Sequence, residues 1–515
     1  MATNRSRVLP ALAALLLAAC GGGGGGDTGN GAGTGLVAAD SVAGLCRFPR
    51  PASVLDAGGR PYPDRPGTLK DERDWVRSWI DETYLWYRDV RALPSSTLDA
   101  SRYASPVDYF DALRSHALTP SGNARDRFHF TEDTAAWVAL SGNGTSVGYG
   151  MVVTVPSPYP PREVRVAAVQ AGSAAALAGL VRGTKLLTAD GVNIVDTVSS
   201  SDIDVLNEAL FPTRAAAHAF TVQDPGPGAV RTVTLAAVPE TTNPLPQAFV
   251  LPAPNQDVGY LRLDDHLGPA ESALVPAITA LRDQGITDLV LDLRYNGGGY
   301  VAIASELAYM IAGPARTAGR VFEEVQANDR NPFGWTDTDR RLPFLDRTQG
   351  FSLPSGAPLP TLGLDRVYVL AGADTCSASE AVVNGLRGVG VQVVLVGGRT
   401  CGKPYGFFPT DNCSVTYFAI QFQGVNALGF GDYADGFEPQ CPVADDFGHA
   451  LGDPAEARLA VALDHRRTGA CAGIAAQQQV QSWHVPTGPA LQRPPLRSNR
   501  FYRGRAQPSG AFHGS

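Results

Sequence analysis

The stretch LVLDLRYNGGG, residues 289–299, decides the fold of this chain. Its first five positions are apolar except for Asp292, which is typical of a strand that is buried on both faces. Asn296 and Gly297 then mark a tight turn. The glycines that follow either continue this turn or let backbone N–H groups approach a substrate oxygen closely. We therefore predict a buried strand that ends in a glycine loop.

Strand and helix patterns alternate on both sides of this stretch. Residues 240–254 are rich in proline and indicate a linker, after which we predict a core over residues 250–472. Such an alternation favours an α/β core with largely parallel strands. The predicted strands are Val258–Leu263, Leu289–Leu293, Val367–Leu370 and Val391–Val396, and the predicted helices lie near Ser272–Gln284, Val301–Ile311 and Ser377–Leu386.

Two further segments of this core carry candidate chemistry. Ser377 lies in DTCSASE, residues 374–380, and together with Glu380 it fits a helix capping box. Ser377 is therefore either an N-cap or a nucleophile, because a helix N-terminus favours developing negative charge. Lys403 follows the predicted strand Val391–Val396. If it is desolvated there, its pKa falls towards neutrality and it becomes a possible general base; otherwise it is an exposed loop lysine.

The segments DLRYNGGG, CSASE and GK, in this order, make residues 68–465 resemble the carboxyl-terminal processing (tail-specific) serine proteases. The resemblance implies a crotonase-like α/β protease core without a cofactor or a metal. It implies that Ser377 is the nucleophile and Lys403 its general base. It also implies an oxyanion hole made by the backbone N–H groups of Gly298 or Gly299 and of Ala378.

The chain departs from this family at Phe407, where many members carry a glutamine that orients the lysine. Gln421 or Gln423 is a possible substitute. A related branch of proteases uses a histidine base, and His129 and His266 precede the core motifs. Because a lone histidine is usually structural, we retain Lys403 as the predicted base.

Two smaller domains are predicted before the core. Residues 40–138 indicate a helical domain, in which an aromatic stripe that includes Trp75 and Trp79 is interpreted as core. Residues 139–240 are β-rich, and GSAAALAGLVRGTKLLTADGVNI, residues 172–194, resembles a PDZ domain. This resemblance implies that the amides of Tyr149, Gly150 and Met151 receive a peptide carboxylate. The alternative is a small β-domain without a ligand.

The N-terminus predicts export. Residues 1–20 have the pattern of a signal peptide, and LAAC, residues 17–20, resembles a bacterial lipobox that leaves Cys20 lipidated. A glycine-rich tether follows over residues 21–39. Gly21 after the cysteine resembles an outer-membrane sorting signal, so we predict a lipid-anchored protein of the bacterial cell envelope that faces the periplasm. The alternative is an ordinary secretory peptide.

Six cysteines remain after Cys20, and an even number in an exported chain favours disulfides. The sequence contains no CxxC or HxxxH spacing, which would predict a metal site. Cys376 and Cys401 each lie beside a proposed catalytic segment, and we predict a bond between them. Cys413 with Cys441 is a second candidate pair, which leaves Cys46 and Cys471.

The 515 residues carry a net charge of −8, which argues against nucleic acid as the main partner. Residues 473–515 contain arginines but no acidic residue, and we predict a basic disordered tail. Together these features predict an exported, lipid-anchored serine endopeptidase that recognises the C-termini of protein substrates through its PDZ-like domain. The alternatives are an inactive PDZ-containing peptide-binding scaffold and a crotonase-like acyl-group enzyme, of which the export signal disfavours the second.

Overall fold

The computed structural model describes residues 35–471, residues 490–491 and the backbone of residues 500–501. The predicted signal peptide, Cys20 and most of the predicted tail lie outside these residues. The first described part is mainly helical. Its elements are α1 (Ala39–Val42), β1 (Leu45–Cys46), β2 (Arg65–Pro66), α2 (Leu69–Thr83), α3 (Tyr87–Arg91), α4 (Ser95–Leu98), α5 (Pro106–Ala112), β3 (Phe130–Asp133) and α6 (Thr134–Asn143).

Helix α2 illustrates how sequence sets these elements. It begins with a capping box, in which the Asp71 N–H donates to Thr68 Oγ1 (3.3 Å) and the Thr68 N–H donates to the Asp71 carboxylate (2.8 Å). Trp75 and Trp79 are one turn apart, fully buried and stacked at 5.3 Å between ring centroids. The interpretation of the aromatic stripe as core is therefore correct.

The second part of the chain, residues 145–241, is β-rich. It contains β4 (Thr145–Gly148), β5 (Met151–Thr154), β6 (Val164–Val169), α7 (Ala174–Leu177), β7 (Lys185–Ala189), β8 (Val192–Asn193), α8 (Ser200–Leu210), β9 (Ala216–Gln223) and β10 (Val230–Thr241). The strands form an antiparallel sheet in the order β4-β10-β9-β7-β6-β5, with β8 paired to β7. Strand β5 is therefore an edge of this sheet.

The third part is an α/β core. Its elements are β11 (Gln247–Val250), β12 (Val258–Arg262), α9 (Ala270–Asp283), β13 (Asp288–Asp292), β14 (Gly299–Tyr300), α10 (Val301–Ala312), α11 (Pro314–Thr317), β15 (Val321–Ala327), β16 (Arg341–Pro343), β17 (Arg366–Ala371), α12 (Ala378–Gly388), β18 (Gln392–Gly397), β19 (Tyr405–Gly406), β20 (Thr410–Asn412), β21 (Val415–Phe418), β22 (Phe422–Val425), β23 (Cys441–Pro442), α13 (Ala457–Thr468) and, near the C-terminus, β24 (Arg500–Phe501).

The main sheet has the order β11-β12-β13-β17-β18-β23. All its neighbours pair in parallel except β11, which is antiparallel to β12, so the predicted parallel core is confirmed. Leu289 and Leu291 pack on one side of β13 in a cluster with α9, α10 and α12, whereas Val290 packs on the other side with α13. Burial on both sides explains why the strand is a continuous apolar run.

The helical part packs against the C-terminal half of the core. Strand β3 pairs antiparallel with β21, and Tyr417 of β21 lies 5.1 Å from the ring of Trp75. In this way the helical part lies beside the segment that carries Lys403. Among the described residues, no helix has both the length and the apolar character that a bilayer crossing requires.

The structure contains three disulfides within its described part. Cys376 is bonded to Cys401, the pair that the sequence predicts. The predicted bond between Cys413 and Cys441 is wrong, because Cys413 pairs with Cys46 and Cys441 with Cys471. The reason is topological: Cys413 lies between β20 and β21 beside the helical part, whereas Cys441 lies on edge strand β23 near the end of α13.

Two buried glutamates, Glu271 of α9 and Glu306 of α10, meet beneath the loop 349–353. Glu271 accepts hydrogen bonds from the N–H groups of Gln349 (2.6 Å) and Ser352 (2.8 Å), and burial together with the Glu271 charge raises the pKa of Glu306 to about 9. The folded chain therefore holds a proton on Glu306 that the unfolded chain releases above its ordinary pKa of about 4.5.

Because folding takes up this proton between these two pKa values, Glu306 lowers stability as pH rises through that window. Glu306→Gln mimics the protonated side chain and removes this dependence. We expect the unfolding free energy of the variant, relative to wild type, to rise by up to ~1.4 kcal/mol per pH unit across the window. Urea unfolding at pH 6 and pH 8 measures this difference. If the difference in unfolding free energy between Glu306→Gln and wild type is the same at pH 6 and pH 8, the prediction is wrong. The matched control is Glu208→Gln, which changes an exposed glutamate.

Candidate active site

Ser377 occupies the turn between strand β17 and helix α12. Its φ and ψ of 62° and −112° lie in a region that non-glycine residues rarely adopt, and such a backbone costs ~1–3 kcal/mol. The turn is held in place by the Cys376 N–H, which donates to the carbonyl of Asn296 (3.1 Å), and by Thr375 Oγ1, which donates to the carbonyl of Leu293 (2.8 Å). Ser377 Oγ is buried without a hydrogen-bond partner among the described residues. A strained, buried and uncommitted hydroxyl is suited to act as a nucleophile.

Lys403 is fully buried after the end of strand β18. Its Nζ lies 4.3 Å from the centroid of the Phe407 ring and 4.9 Å from that of Phe128. Burial holds the pKa of Lys403 well below its usual value, although the carboxylates of Asp126 and Glu380 oppose this effect. An amine with a lowered pKa carries a free lone pair nearer neutral pH, as a general base requires.

Glu380 connects the serine turn to the lysine loop. Its buried carboxylate accepts hydrogen bonds from the N–H groups of Ser377 (3.0 Å) and Lys403 (2.8 Å). It also accepts from the N–H of Gly402 (2.8 Å) and from Thr400 Oγ1 (2.5 Å). The Cys376–Cys401 disulfide joins the same two loops. The structure thus brings the backbones of Ser377 and Lys403 to a single side chain, which sequence analysis interpreted only as part of a helix cap.

The helical part of the chain also contacts the lysine loop. The exposed guanidinium of Arg127 donates to the carbonyls of Cys401 (2.5 Å) and Gly402 (3.3 Å). The next residue, Phe128, contributes the ring beside Lys403 Nζ. Asp126 is buried and accepts from the Phe128 N–H (3.1 Å). Sequence analysis missed these three residues, because nothing local in the helical part indicates that it reaches the lysine.

The glycine loop lies directly against the serine turn. Gly298 and Gly299 adopt φ values of 113° and 137°, and a Cβ on Gly299 would lie 2.6 Å from the backbone of His266. The N–H of Gly298 donates to Asn296 Oδ1 (2.9 Å). The Ala378 N–H belongs to the first turn of α12, where backbone donors have no partner within the helix. Thus one of the predicted oxyanion donors, that of Gly298, is engaged with Asn296 in this structure.

Two models of protein families match segments of this chain. The model of peptidase family S41 matches residues 257–410, and that of the peptidase S41 N-terminal domain matches residues 71–129. The chain carries the domains of peptidase family S41. These S41 domains contain Ser377, Lys403 and the glycine loop in one match and Asp126, Arg127 and Phe128 in the other.

Relatives of these S41 domains are known from algae and cyanobacteria. The C-terminal processing peptidase of the chloroplast of Tetradesmus obliquus is 28% identical over 64% of this chain and 63% of its own length. A carboxyl-terminal-processing protease of Picosynechococcus is 26% identical over 45% of this chain and 49% of its own. The chain therefore matches less than two thirds of the length of these relatives.

A solved structure from Bacteroides fragilis, assigned to the S41 proteases, shares the fold. It is 22% identical, and the match covers 79% of this chain and 99% of that structure with a TM-score of 0.55.

The alternative bases and orienting groups form other bonds. His266 is buried beside the glycine loop, with Nδ1 3.1 Å from Asn296 Oδ1, and burial lowers its pKa to about 4. His129 Nε2 lies 3.0 Å from the carbonyl of Phe110. Gln421 accepts from the N–H of Phe408 (2.7 Å), and Gln423 donates to the carbonyl of Gly431 (2.9 Å).

The predicted peptide-binding loop of the β-rich region lies between β4 and β5. The N–H of Gly150 donates to the carboxylate of Glu240 (2.7 Å), so this predicted peptide-binding amide is engaged with a side chain of the same chain. Tyr149 is buried and its hydroxyl donates to the carbonyl of Ala209 on α8 (2.8 Å). Met151 pairs with Val169 and begins edge strand β5, which can accept a further strand.

Proposed function

We propose that this chain is a serine endopeptidase in which Lys403 activates Ser377. The observation that carries the proposal is the burial of Lys403 beside aromatic rings, with a lowered pKa, in a loop that Glu380 joins to the serine turn. S41 membership and the names of the relatives agree with hydrolysis of peptide bonds in proteins.

In the proposed mechanism, neutral Lys403 takes the proton of Ser377 as Oγ bonds to the substrate carbonyl carbon. The oxyanion is stabilised by backbone N–H groups of Ala378 and of Gly298 or Gly299, and each such donor lowers the barrier by ~3–4 kcal/mol. When the C–N bond breaks, Lys403 returns the proton to the leaving amine. Water, deprotonated by Lys403, then hydrolyses the acyl ester and restores Ser377.

The finer parts of this function are further proposals. We propose that residues 1–20 direct export, that Cys20 is lipidated, and that the protein faces the periplasm from the outer membrane. Edge strand β5, with Tyr149, Gly150 and Met151, is the proposed receptor for substrate C-termini. A substrate carboxylate would displace Glu240 from the Gly150 N–H.

The nucleophile is tested with Ser377→Ala in the full chain. An unfolded protein with an apolar C-terminus is incubated with each variant, and its cleavage is followed by mass spectrometry. We expect cleavage to fall below detection in Ser377→Ala, because the variant lacks the hydroxyl that forms the acyl ester in the proposed mechanism. The matched control is Ser201→Ala, an exposed serine of the β-rich region, which should cleave at the wild-type rate.

Two outcomes would contradict the proposal. Cleavage by Ser377→Ala at the wild-type rate would assign the activity to another residue. If the wild type binds the substrate tail but cleaves nothing, the chain is the peptide-binding scaffold that Phe407 suggests, since the orienting glutamine is missing.

A further inference from the structure

The C-terminal segment of the chain returns to the folded body at two described places. Leu491 is buried in the apolar cluster of the β-rich region, and its N–H donates to the carbonyl of Pro158 (3.1 Å). Further along, Arg500–Phe501 forms strand β24. The stretch between these two places can span at most ~3.3–3.6 Å per residue. The segment is thus anchored on the β-rich region before it reaches the core.

Strand β24 pairs in parallel with β14, the strand of the glycine loop. The register places Gly299 opposite Arg500 and Tyr300 opposite Phe501. Strand β24 also lies close to β19, which begins two residues after Lys403. The backbone of Arg500–Phe501 therefore lies between the segment that follows the lysine and the segment that carries the predicted oxyanion donors.

The edge of β14 that β24 covers can be identified from hydrogen bonds. On one edge, the His266 N–H donates to the carbonyl of Gly298 (2.9 Å), and the Tyr300 N–H donates to the carbonyl of His266 (2.8 Å). Peptide groups of successive residues in a strand point to opposite edges. The N–H and carbonyl of Gly299 therefore face away from His266, towards the edge on which β24 pairs. This is the edge at which a substrate would present its carbonyl oxygen to Gly299.

We propose that the tail around Arg500–Phe501 is an intramolecular inhibitor. It occupies, as an added β-strand, the peptide cleft, by which we mean the space between β14 and β19. The proposal rests on the proposed peptidase function. Strand addition to an exposed edge is a common way to bind an extended peptide. Pairing over two residues is weak by itself, but attachment to the same chain gives an effective concentration of the order of millimolar.

The charge of the tail favours the same arrangement. Residues 473–515 contain five arginines and no acidic residue, whereas the whole chain carries −8. The tail is therefore attracted to the rest of the molecule. A substrate must displace the tail before it can bind. The active site is therefore closed to weak or dilute ligands. It opens to ligands that also compete with the tail for the β-rich region.

The test replaces the backbone donors of β24. Arg500→Pro/Phe501→Pro removes two N–H groups and prevents strand pairing. We expect kcat/KM for a short peptide substrate to rise by about fivefold or more, as the fraction of open cleft increases. Gln478→Pro/Gln479→Pro, in the same tail, is the matched control and should leave kcat/KM unchanged. Leu491→Asp, which removes the anchor, should raise kcat/KM in the same direction as the double proline variant.

A binding measurement separates this proposal from the proposed catalysis. A fluorescent peptide with the sequence of residues 496–505 is titrated into Ser377→Ala chains, with and without the two prolines, and its anisotropy is recorded. Binding that is at least fivefold tighter to the chain with the prolines supports the inhibitor even if no variant cleaves a substrate.

Equal binding by both chains would overturn the proposal. So would loss of the tail from the wild type but not from Ser377→Ala, detected by intact mass, because the tail would then be a substrate.

Discussion

Replacing Lys403 with methionine is expected to lower kcat/KM by about a thousandfold or more while the folded state becomes no less stable. Under the proposed mechanism the variant lacks the base that takes the Ser377 proton, and members of such a catalytic pair act as a unit. Stability is preserved because methionine has a similar length, carries no charge and packs well against the rings of Phe128 and Phe407. Loss of activity through misfolding would instead lower both quantities.

The pH dependence of stability sharpens this prediction. Burial holds the pKa of Lys403 well below 10.5 in the folded chain, whereas the unfolded chain titrates near ~10.4. Between these values the unfolded state binds more protons, so the contribution of Lys403 to stability rises with pH. Lys403→Met removes this rise. The variant should therefore exceed wild type in unfolding free energy most at low pH, and the two should converge near pH ~10.5.

Two further lysine variants serve as controls. Lys70→Met changes a side chain that is 80% exposed, and it should alter neither activity nor the slope of stability against pH. Lys403→Arg keeps a charge at every accessible pH, so it should be inactive and also less stable than wild type. If Lys403→Met retained more than a tenth of the wild-type kcat/KM, another group would be the base.

The sequence predicts the centre of the fold because local patterns decide it. Residues 289–293 are apolar in succession, so a strand covered on both faces follows directly, and the glycine loop marks where it ends. Helix α8 was not predicted, although its signal is present: Ser199 caps it, and Ile203, Leu206 and Leu210 recur at helical spacing. This amphipathic spacing is sufficient to predict the helix.

The surroundings of the site are less accessible to sequence analysis, because they come from distant segments. The sequence predicts Glu380 as a cap residue, but its bonds to Gly402 and Lys403 require that two loops meet in space. The pairing of Cys46 with Cys413 spans 367 residues and has no local signal. The same holds for Glu240, which reaches Gly150 only through the pairing of β10 with β4.

Arg294 of the glycine loop is the centre of a buried group of ion pairs. Its guanidinium is 1% exposed and bonds to Asp292 (2.9 Å) and, through two nitrogens, to Glu456 at the start of α13 (2.7 and 3.0 Å). A third carboxylate, Asp445, lies 3.2 Å away, and the neighbouring arginines lower its pKa to about 2. Arg294 thus pairs with carboxylates from three segments, of which Asp445 also pairs with Arg182 (2.6 Å), and it fixes the start of the loop.

Arg294→Met is expected to lower the unfolding free energy by about 3–5 kcal/mol, because it leaves buried carboxylates without their partner. Guanidinium chloride unfolding measures this change. Arg316→Met is the matched control, since its partner Asp365 is 84% exposed and such a pair contributes only about 0–1 kcal/mol. A loss in Arg294→Met as small as that of the control would contradict the prediction.

The triple variant Arg294→Met/Asp292→Asn/Glu456→Gln identifies the cause of the loss. If unpaired charge is responsible, neutralising both carboxylates restores part of the stability, and the three effects are not additive. If packing is responsible, the triple variant is less stable still. The activity of the triple variant shows whether the glycine loop is still in its position. A second contact also holds this loop, since Tyr295, the residue after Arg294, receives a hydrogen bond from Arg182 of the β-rich region (2.7 Å). A triple variant that regains stability but not kcat would assign to Arg294 the positioning of the glycine loop rather than the folding of the core.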